Sequence, residues 1–135
     1  MKKALCVILS LIFFVLLCGC DNTDTESRVF SQEITIVKLP SPPKCKTTNS
    51  IATVDKVIEI LGQIEKSPTP NDVNAGGWST MIRLKIDGQE LVYTLGGNLF
   101  TDADGRQYKA VNCAEIEEKI TKIYNELDAP EVDYP

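Results

Sequence analysis

A chain of 135 residues carries 14 Lys and Arg against 19 Asp and Glu, with no histidine. That acidity argues against nucleic acid, and against an anionic membrane surface, as the partner. Without histidine no Ser-His-Asp or Cys-His site can form, and the length suits one domain.

The first twenty residues differ from the rest. Lys2 and Lys3 give a positive start, and Ala4 to Leu17 then runs 14 residues without charge, with Ser10 as its polar break. As a helix that run would span about 21 Å, short of the ~30 Å bilayer core. Such a length suits the apolar centre of an export signal rather than an uncleaved span. At its end, Leu17-Cys18-Gly19-Cys20 resembles the lipobox of bacterial lipoproteins. Leu17 and Gly19 fit the apolar and small positions, whereas Cys18 stands where Ala or Ser is commoner. The resemblance implies diacylglycerol on the Cys20 sulfur and cleavage between Gly19 and Cys20. Each buried CH₂ contributes about 0.8 kcal/mol, so two or three acyl chains hold durably where one does not. Asp21 resembles the inner-membrane retention signal of enteric Gram-negative lipoproteins and would carry no such meaning in a Gram-positive cell.

This divides the chain into a signal peptide (1–19), a lipidated cysteine and flexible tether (20–31), one folded domain (32–130) and a C-terminal tail (131–135). The tether reads Asp-Asn-Thr-Asp-Thr-Glu-Ser-Arg and then Val-Phe-Ser, without periodicity. Removal of Lys2 and Lys3 with the signal takes the net charge from −5 to −7. Cys6 and Cys18 leave too, and Cys20 takes lipid. Cys45 and Cys113 remain, either as a disulfide in an oxidising location or as two separate thiols. A bridge would contribute on the order of 4 kcal/mol by constraining the unfolded chain.

Within the domain, Glu33 to Leu39 is rich in β-branched residues and reads as a strand, ended by Pro40, Pro42 and Pro43. Val54, Val57, Ile58, Leu61 and Ile64 recur at helical spacing, with Ser50 or Thr53 able to cap. Ser67-Pro68 ends that helix, and a Pro-, Asn- and Gly-rich loop runs on to Gly77. Asp87-Gly88 then predicts a two-residue type I′ hairpin. Ile86 would face Gln89, Leu84 Leu91, Ile82 Tyr93 and Thr80 Leu95 on an apolar face. Lys85 opposite Glu90 and Arg83 opposite Val92 make up the other face. Gly96-Gly97 predicts a second turn, setting Asn98 against Leu95 and Phe100 against Tyr93. The run Asp102-Ala-Asp-Gly105 predicts a third, leading into a fourth strand of the meander over Arg106 to Val111.

A final helix carries Ile116, Ile120, Ile123 and Leu127 on one stripe. Asn112 with Glu115 resembles a capping box, and Glu115–Lys119 and Glu118–Lys122 are favourable i,i+4 pairs. The expected fold class is α+β and two-layered: an antiparallel sheet of 4–5 strands with two helices on one face, in the order β-α-β-β-β-β-α. The partner of the first strand stays open.

Catalytic signals are weak. Thr53-Val-Asp-Lys56 is a distant likeness of a Ser-Lys site and reads as a helix start. Asp102-Ala-Asp104-Gly105 shares a fragment with calcium loops but lacks the later ligands, so it reads as a turn. No catalytic residue, metal or cofactor is expected. Tyr93, Phe100 and Tyr108 read as core aromatics. Trp78 shares the alternation of Thr80, Ile82 and Leu84, which places it in the core. Exposed instead, it would be a binding anchor. A candidate interaction surface therefore combines Trp78, Gly76, Gly77 and Asn98.

Taken together, the lipobox, polar tether and compact domain ending in a helix resemble small lipoproteins of Gram-positive, clostridia-like bacteria. The resemblance implies a lipid-anchored protein on the extracytoplasmic face of the cell membrane and carries no active site. The expected function is a non-enzymatic binding or accessory module. Its partners would be the membrane, through lipid on Cys20, and an envelope protein or ligand. An immunity-type or inhibitor lipoprotein is the alternative, followed by a small carboxylate-dependent hydrolase.

Overall fold

A computed structural model describes residues 31–68 and 77–135. The signal, Cys20, most of the tether and Gly76 lie outside the described residues. In chain order the elements are β1 (Gln32–Lys38), β2 (Lys44–Thr48), α1 (Ile51–Gly62), β3 (Lys66–Pro68) and β4 (Thr80–Ile86). They continue with β5 (Gln89–Gly96), β6 (Leu99–Thr101), β7 (Gln107–Ala110), α2 (Cys113–Glu126) and β8 (Val132–Asp133).

The fold is α+β, with two helices and one antiparallel sheet among the described residues. The sheet has eight strands rather than 4–5, ordered β3-β7-β6-β5-β4-β1-β2-β8. The added strands are β2, β3 and β8. They escape a search for apolar periodicity because two are only two or three residues long and β2 reads Lys-Cys-Lys-Thr-Thr. The first strand finds both its partners: β1 lies between β4 and β2. Residues 131–135 are tied down instead of forming a loose tail. Lys44 and Cys45 pair with Asp133 and Val132, and the Tyr134 amide donates to the Pro43 carbonyl at 2.8 Å.

The Asp87-Gly88 hairpin follows its sequence closely. Both residues have positive φ, 49° and 81°, as a type I′ turn demands. The pairs Ile86–Gln89, Leu84–Leu91, Ile82–Tyr93 and Thr80–Leu95 all form. Lys85 and Glu90 are in register, but Glu90 instead takes Arg83 diagonally, at 2.7 Å. That approach lies off the N–H axis, so it is an ionic contact rather than a linear hydrogen bond.

The second turn is displaced by one residue. Gly97, with φ 59°, and Asn98 occupy the turn, so Gly96 pairs with Leu99 and Phe100 with Leu95 rather than Tyr93. Glycine at the first turn position is what a type II′ turn requires. The third turn closes on Asp102, whose Oδ1 accepts from the amides of Asp104 (3.0 Å) and Arg106 (2.9 Å). The calcium-like fragment is thus a turn whose leading carboxylate is already occupied by its own backbone.

One face of the sheet receives both helices. Ile34, Ile36, Ile82, Leu84, Leu95 and Phe100 bury against Val54, Val57, Leu61, Ile116 and Ile120 in one cluster. Each fully buried aliphatic side chain contributes about 2 kcal/mol. Tyr93 and Tyr108 stack on either side of Phe100, with centroids 6.1 and 6.5 Å away. Lys66 lies over the Phe100 and Tyr108 rings at 5.1 and 5.0 Å. Of the three expected core aromatics Phe100 is buried, and Tyr93 and Tyr108 are partly buried against it.

Ser50 caps α1, accepting from the Thr53 amide. Asn112 makes no side-chain cap on α2, contrary to the expected capping box. Its side chain reaches back instead, accepting from the Glu65 amide and donating to the Gln63 carbonyl, both at 2.9 Å. It fastens the end of α1 to the start of α2. Asn112→Ala is therefore expected to cost about 1–2 kcal/mol by leaving two backbone groups unpaired, measurable by urea denaturation. Glu115–Lys119 forms at 2.8 Å, and Lys119 also donates to Gln63 at 2.8 Å.

Candidate functional site

Among the described residues, the opposite face of the sheet carries no helix. Alternation places Thr35, Val37, Cys45, Thr47, Met81 and Arg83 here, followed by Val92, Thr94, Leu99, Thr101 and Gln107. Most are half-buried or exposed, in contrast with the sealed helix side. Val37 and Cys45 are buried, at the end where the C-terminal residues return. There the Tyr134 ring lies 5.6 Å from the Arg83 guanidinium.

Trp78, the chain's single tryptophan, lies over this open face. It is half-buried, and the core does not include it. The expectation of a core tryptophan fails because alternation breaks at Ser79. Regular alternation would turn Ser79 away from Thr80. Instead both hydroxyls reach Glu117 on α2, Ser79 at 2.6 Å and Thr80 at 2.7 Å. Two successive residues thus face the same side, as at a bulge, and the next residue is re-aimed. Ser79 N–H also donates to the Leu95 carbonyl at 2.8 Å. Trp78 accordingly lands on the face opposite Ile82 and Leu84.

Gly96 makes this crossing possible. A Cβ there would lie 2.7 Å from the Gly77 carbonyl oxygen and 2.8 Å from the Trp78 Cα. The backbone of 77–78 therefore rests directly on β5. The result is a shallow cleft of about 140 Å³ between Trp78 and the strands, with Gly77 and Gly96 as its floor. Thr94, Leu99, Thr101 and Gln107 form the rest of its lining. Of the expected surface, Trp78 and Gly77 come together here, while Asn98 sits in the adjacent turn and does not line the cleft. Gly76 lies outside the described residues. Sequence reading missed Thr94, Thr101 and Gln107. The available signal was that they share the non-apolar side of the meander.

Beneath the bulge is a polar network. Lys38 Nζ donates to Thr80 Oγ1 and Thr121 Oγ1, each at 2.7 Å, and lies 3.5 Å from Glu117 Oε1. Burial acts to raise the Glu117 pKa. The hydrogen bonds from Ser79 and Thr80, with the Lys38 charge, outweigh it and hold the group below its ordinary value. The network clamps β1, β4 and α2 together and holds the bulge that aims Trp78.

Cys45 and Cys113 are free and buried, so they are two separate thiols rather than a bridge. Cys45 faces the open side beside Val37, whereas Cys113 begins α2 within the core cluster. The sheet stands between them. Burial is the main reason both thiols are pushed above the usual range. At the tail, Tyr124 donates to Glu131 at 2.8 Å and lies under Lys46 at 5.3 Å. Its hydroxyl is pushed well up by burial and by the Glu131 carboxylate.

Ser41-Pro42-Pro43-Lys44 has the spacing of a Ser-x-x-Lys motif. Ser41 is exposed in the loop after β1, and Lys44 pairs with Asp133. Thr53 and Lys56 lie in the first turns of α1, as a helix start should. Among the described residues no cluster of three or more His, Cys, Asp or Glu could hold a metal. No described helix is long and apolar enough to cross a membrane.

Among the described residues, the fold is a two-layer α+β domain whose second sheet face carries no helix and holds an aromatic cleft. No family model, curated protein or solved structure matches this chain.

Proposed function

We propose that this chain is a lipid-anchored, extracytoplasmic, non-enzymatic binding module. The anchor is the Cys20 sulfur, and the binding surface is the Trp78 cleft on the open sheet face. The anchor rests on the Lys2-Lys3 start, the apolar run and the Leu17-Cys18-Gly19-Cys20 sequence. The observation that carries the binding role is a half-exposed tryptophan held in a cleft by a dedicated bulge and a dedicated glycine. Tryptophan is over-represented among residues that dominate binding energy, and the close crossing that presents it requires glycine at position 96.

Two measurements test this. Cells fed an alkyne-bearing palmitate should label the wild-type chain and the Cys18→Ala variant, with Cys20→Ala at background. Label persisting on Cys20→Ala would remove the anchor. A photo-crosslinking amino acid at Leu99 should form a discrete adduct in cells, and one at the exposed Ile58 of α1 should not. Equal yields from both positions would remove the cleft as the binding surface.

A further inference from the structure

We propose that the Trp78 cleft takes a ring of a neutral, hydroxyl-rich saccharide. This rests on the binding reading above and names its ligand class. The first observation is that the described lining residues carry no charge. In a chain with 24% charged residues, the cleft is lined by Trp78, two glycines, two threonines, leucine and glutamine. Lys109 pairs with Leu99 but does not line it. An anionic ligand would leave water without a countercharge from these residues to receive it.

The second observation is a polar row. Thr94 pairs with Thr101, and Thr101 with Gln107, across β5, β6 and β7. Adjacent strands are about 4.8 Å apart, so these side chains form a line of donors and acceptors about 10 Å long. A purely apolar ligand would cover the Thr94 and Thr101 hydroxyls at a desolvation cost. A pyranose carries hydroxyls along its edge and C–H groups on its face. The edge matches the threonine row, and the face matches the indole and Leu99. The third is size: about 140 Å³ admits a single ring at a time, so a longer glycan would run across the open face.

The experiment uses the full-length protein, extracted in a sugar-free detergent and titrated with N-acetylglucosamine trimer, maltotriose and the anionic trigalacturonate. With one tryptophan in the chain, its emission reports this site alone. A saturable emission change with a neutral trisaccharide is expected, weakened about tenfold in the paired variant Thr94→Val, Thr101→Val, the value of one lost hydrogen bond. Valine keeps shape and strand preference, and the single variant Thr101→Val provides a milder test of the same loss. Three results overturn the inference: no saturable change with either neutral sugar at millimolar concentration, unchanged affinity in both valine variants, or tighter binding of trigalacturonate. If the Leu99 crosslink forms while both neutral sugars fail, the saccharide assignment falls and the binding reading stands. If both are silent, both fall.

Discussion

Replacing Glu117 by Ala is expected to destabilise the domain by about 3 kcal/mol, since it removes one partner from a partly buried ion pair and leaves the other uncompensated. The side chains of Lys38 and Glu117 retain only 18% and 22% of their exposure. The substitution strands the Lys38 ammonium and removes the acceptor of both Ser79 and Thr80. Thermal unfolding should fall by roughly 10–15 °C, on the scale of a domain of about 100 residues. The double variant Glu117→Leu, Lys38→Met should recover part of that loss, because removing both charges leaves neither unpaired. A double variant as unstable as the single one would show that the pairing is not the cause.

The same group sets a pH dependence. Its folded pKa lies below its ordinary value of 4.5. Its contribution is therefore complete above the unfolded pKa and is lost as pH falls through the folded one. Wild-type stability should decline below about pH 4.5, and Glu117→Gln should flatten that part of the decline. Melting curves between pH 3 and 7 read this directly. An unchanged acid limb in Glu117→Gln would assign it to other carboxylates. Because the network holds the bulge, the variant should also shift Trp78 emission.

Gly96→Ala is expected to cost about 2–3 kcal/mol through overpacking. The new Cβ would meet the Gly77 carbonyl and the Trp78 Cα, both backbone atoms that cannot rotate away. Either β5 or the 77–79 crossing must move, which also lengthens the 2.8 Å bond from the Ser79 amide to the Leu95 carbonyl. The cause is space rather than φ, since Gly96 is not among the positive-φ glycines. Gly62→Ala provides the control. Nothing lies within 4 Å of its Cβ position, and alanine is preferred to glycine in a helix by up to about 1 kcal/mol. Urea denaturation should separate the two alanines in sign. Trp78 emission should move with Gly96→Ala only. A Gly96→Ala protein with wild-type stability and emission would remove the close crossing.

Local signals were legible where each residue's preference agreed with its neighbours'. Asp87-Gly88 specified its turn and, with the flanking alternation, every pair of β4 and β5. Spacing placed Val54, Val57 and Leu61 of α1 and Ile116, Ile120 and Ile123 of α2 in the core, but α1 ends at Gly62, before Ile64, and it buries Ile60 while leaving Ile58 exposed. Errors arose where distant parts of the chain decided. Asn112 lost its capping role to backbone groups at the end of α1, 47 and 49 residues away in sequence. Lys85 lost Glu90 to the longer reach of Arg83. The Gly-Gly pair offered two positions for one turn, and pairing of β6 with β5 selected Gly97-Asn98. Cys45 and Cys113 were an even pair by count, yet fall on opposite faces of the sheet.

The sequence by itself determined the α+β class, the central hairpin and its register, the two helices and the core they cover. These rest on period, turn chemistry and capping preference, all read over a few residues. Only the tertiary structure decided the eight-stranded sheet, because β2, β3 and β8 are too short or too polar to declare themselves and exist by pairing with longer neighbours. It also decided the face on which Trp78 lies. Period-two alternation places that residue in the core. Glu117 on α2, reached from β4 only after the chain has folded, draws Ser79 and Thr80 to one side and turns the tryptophan outward.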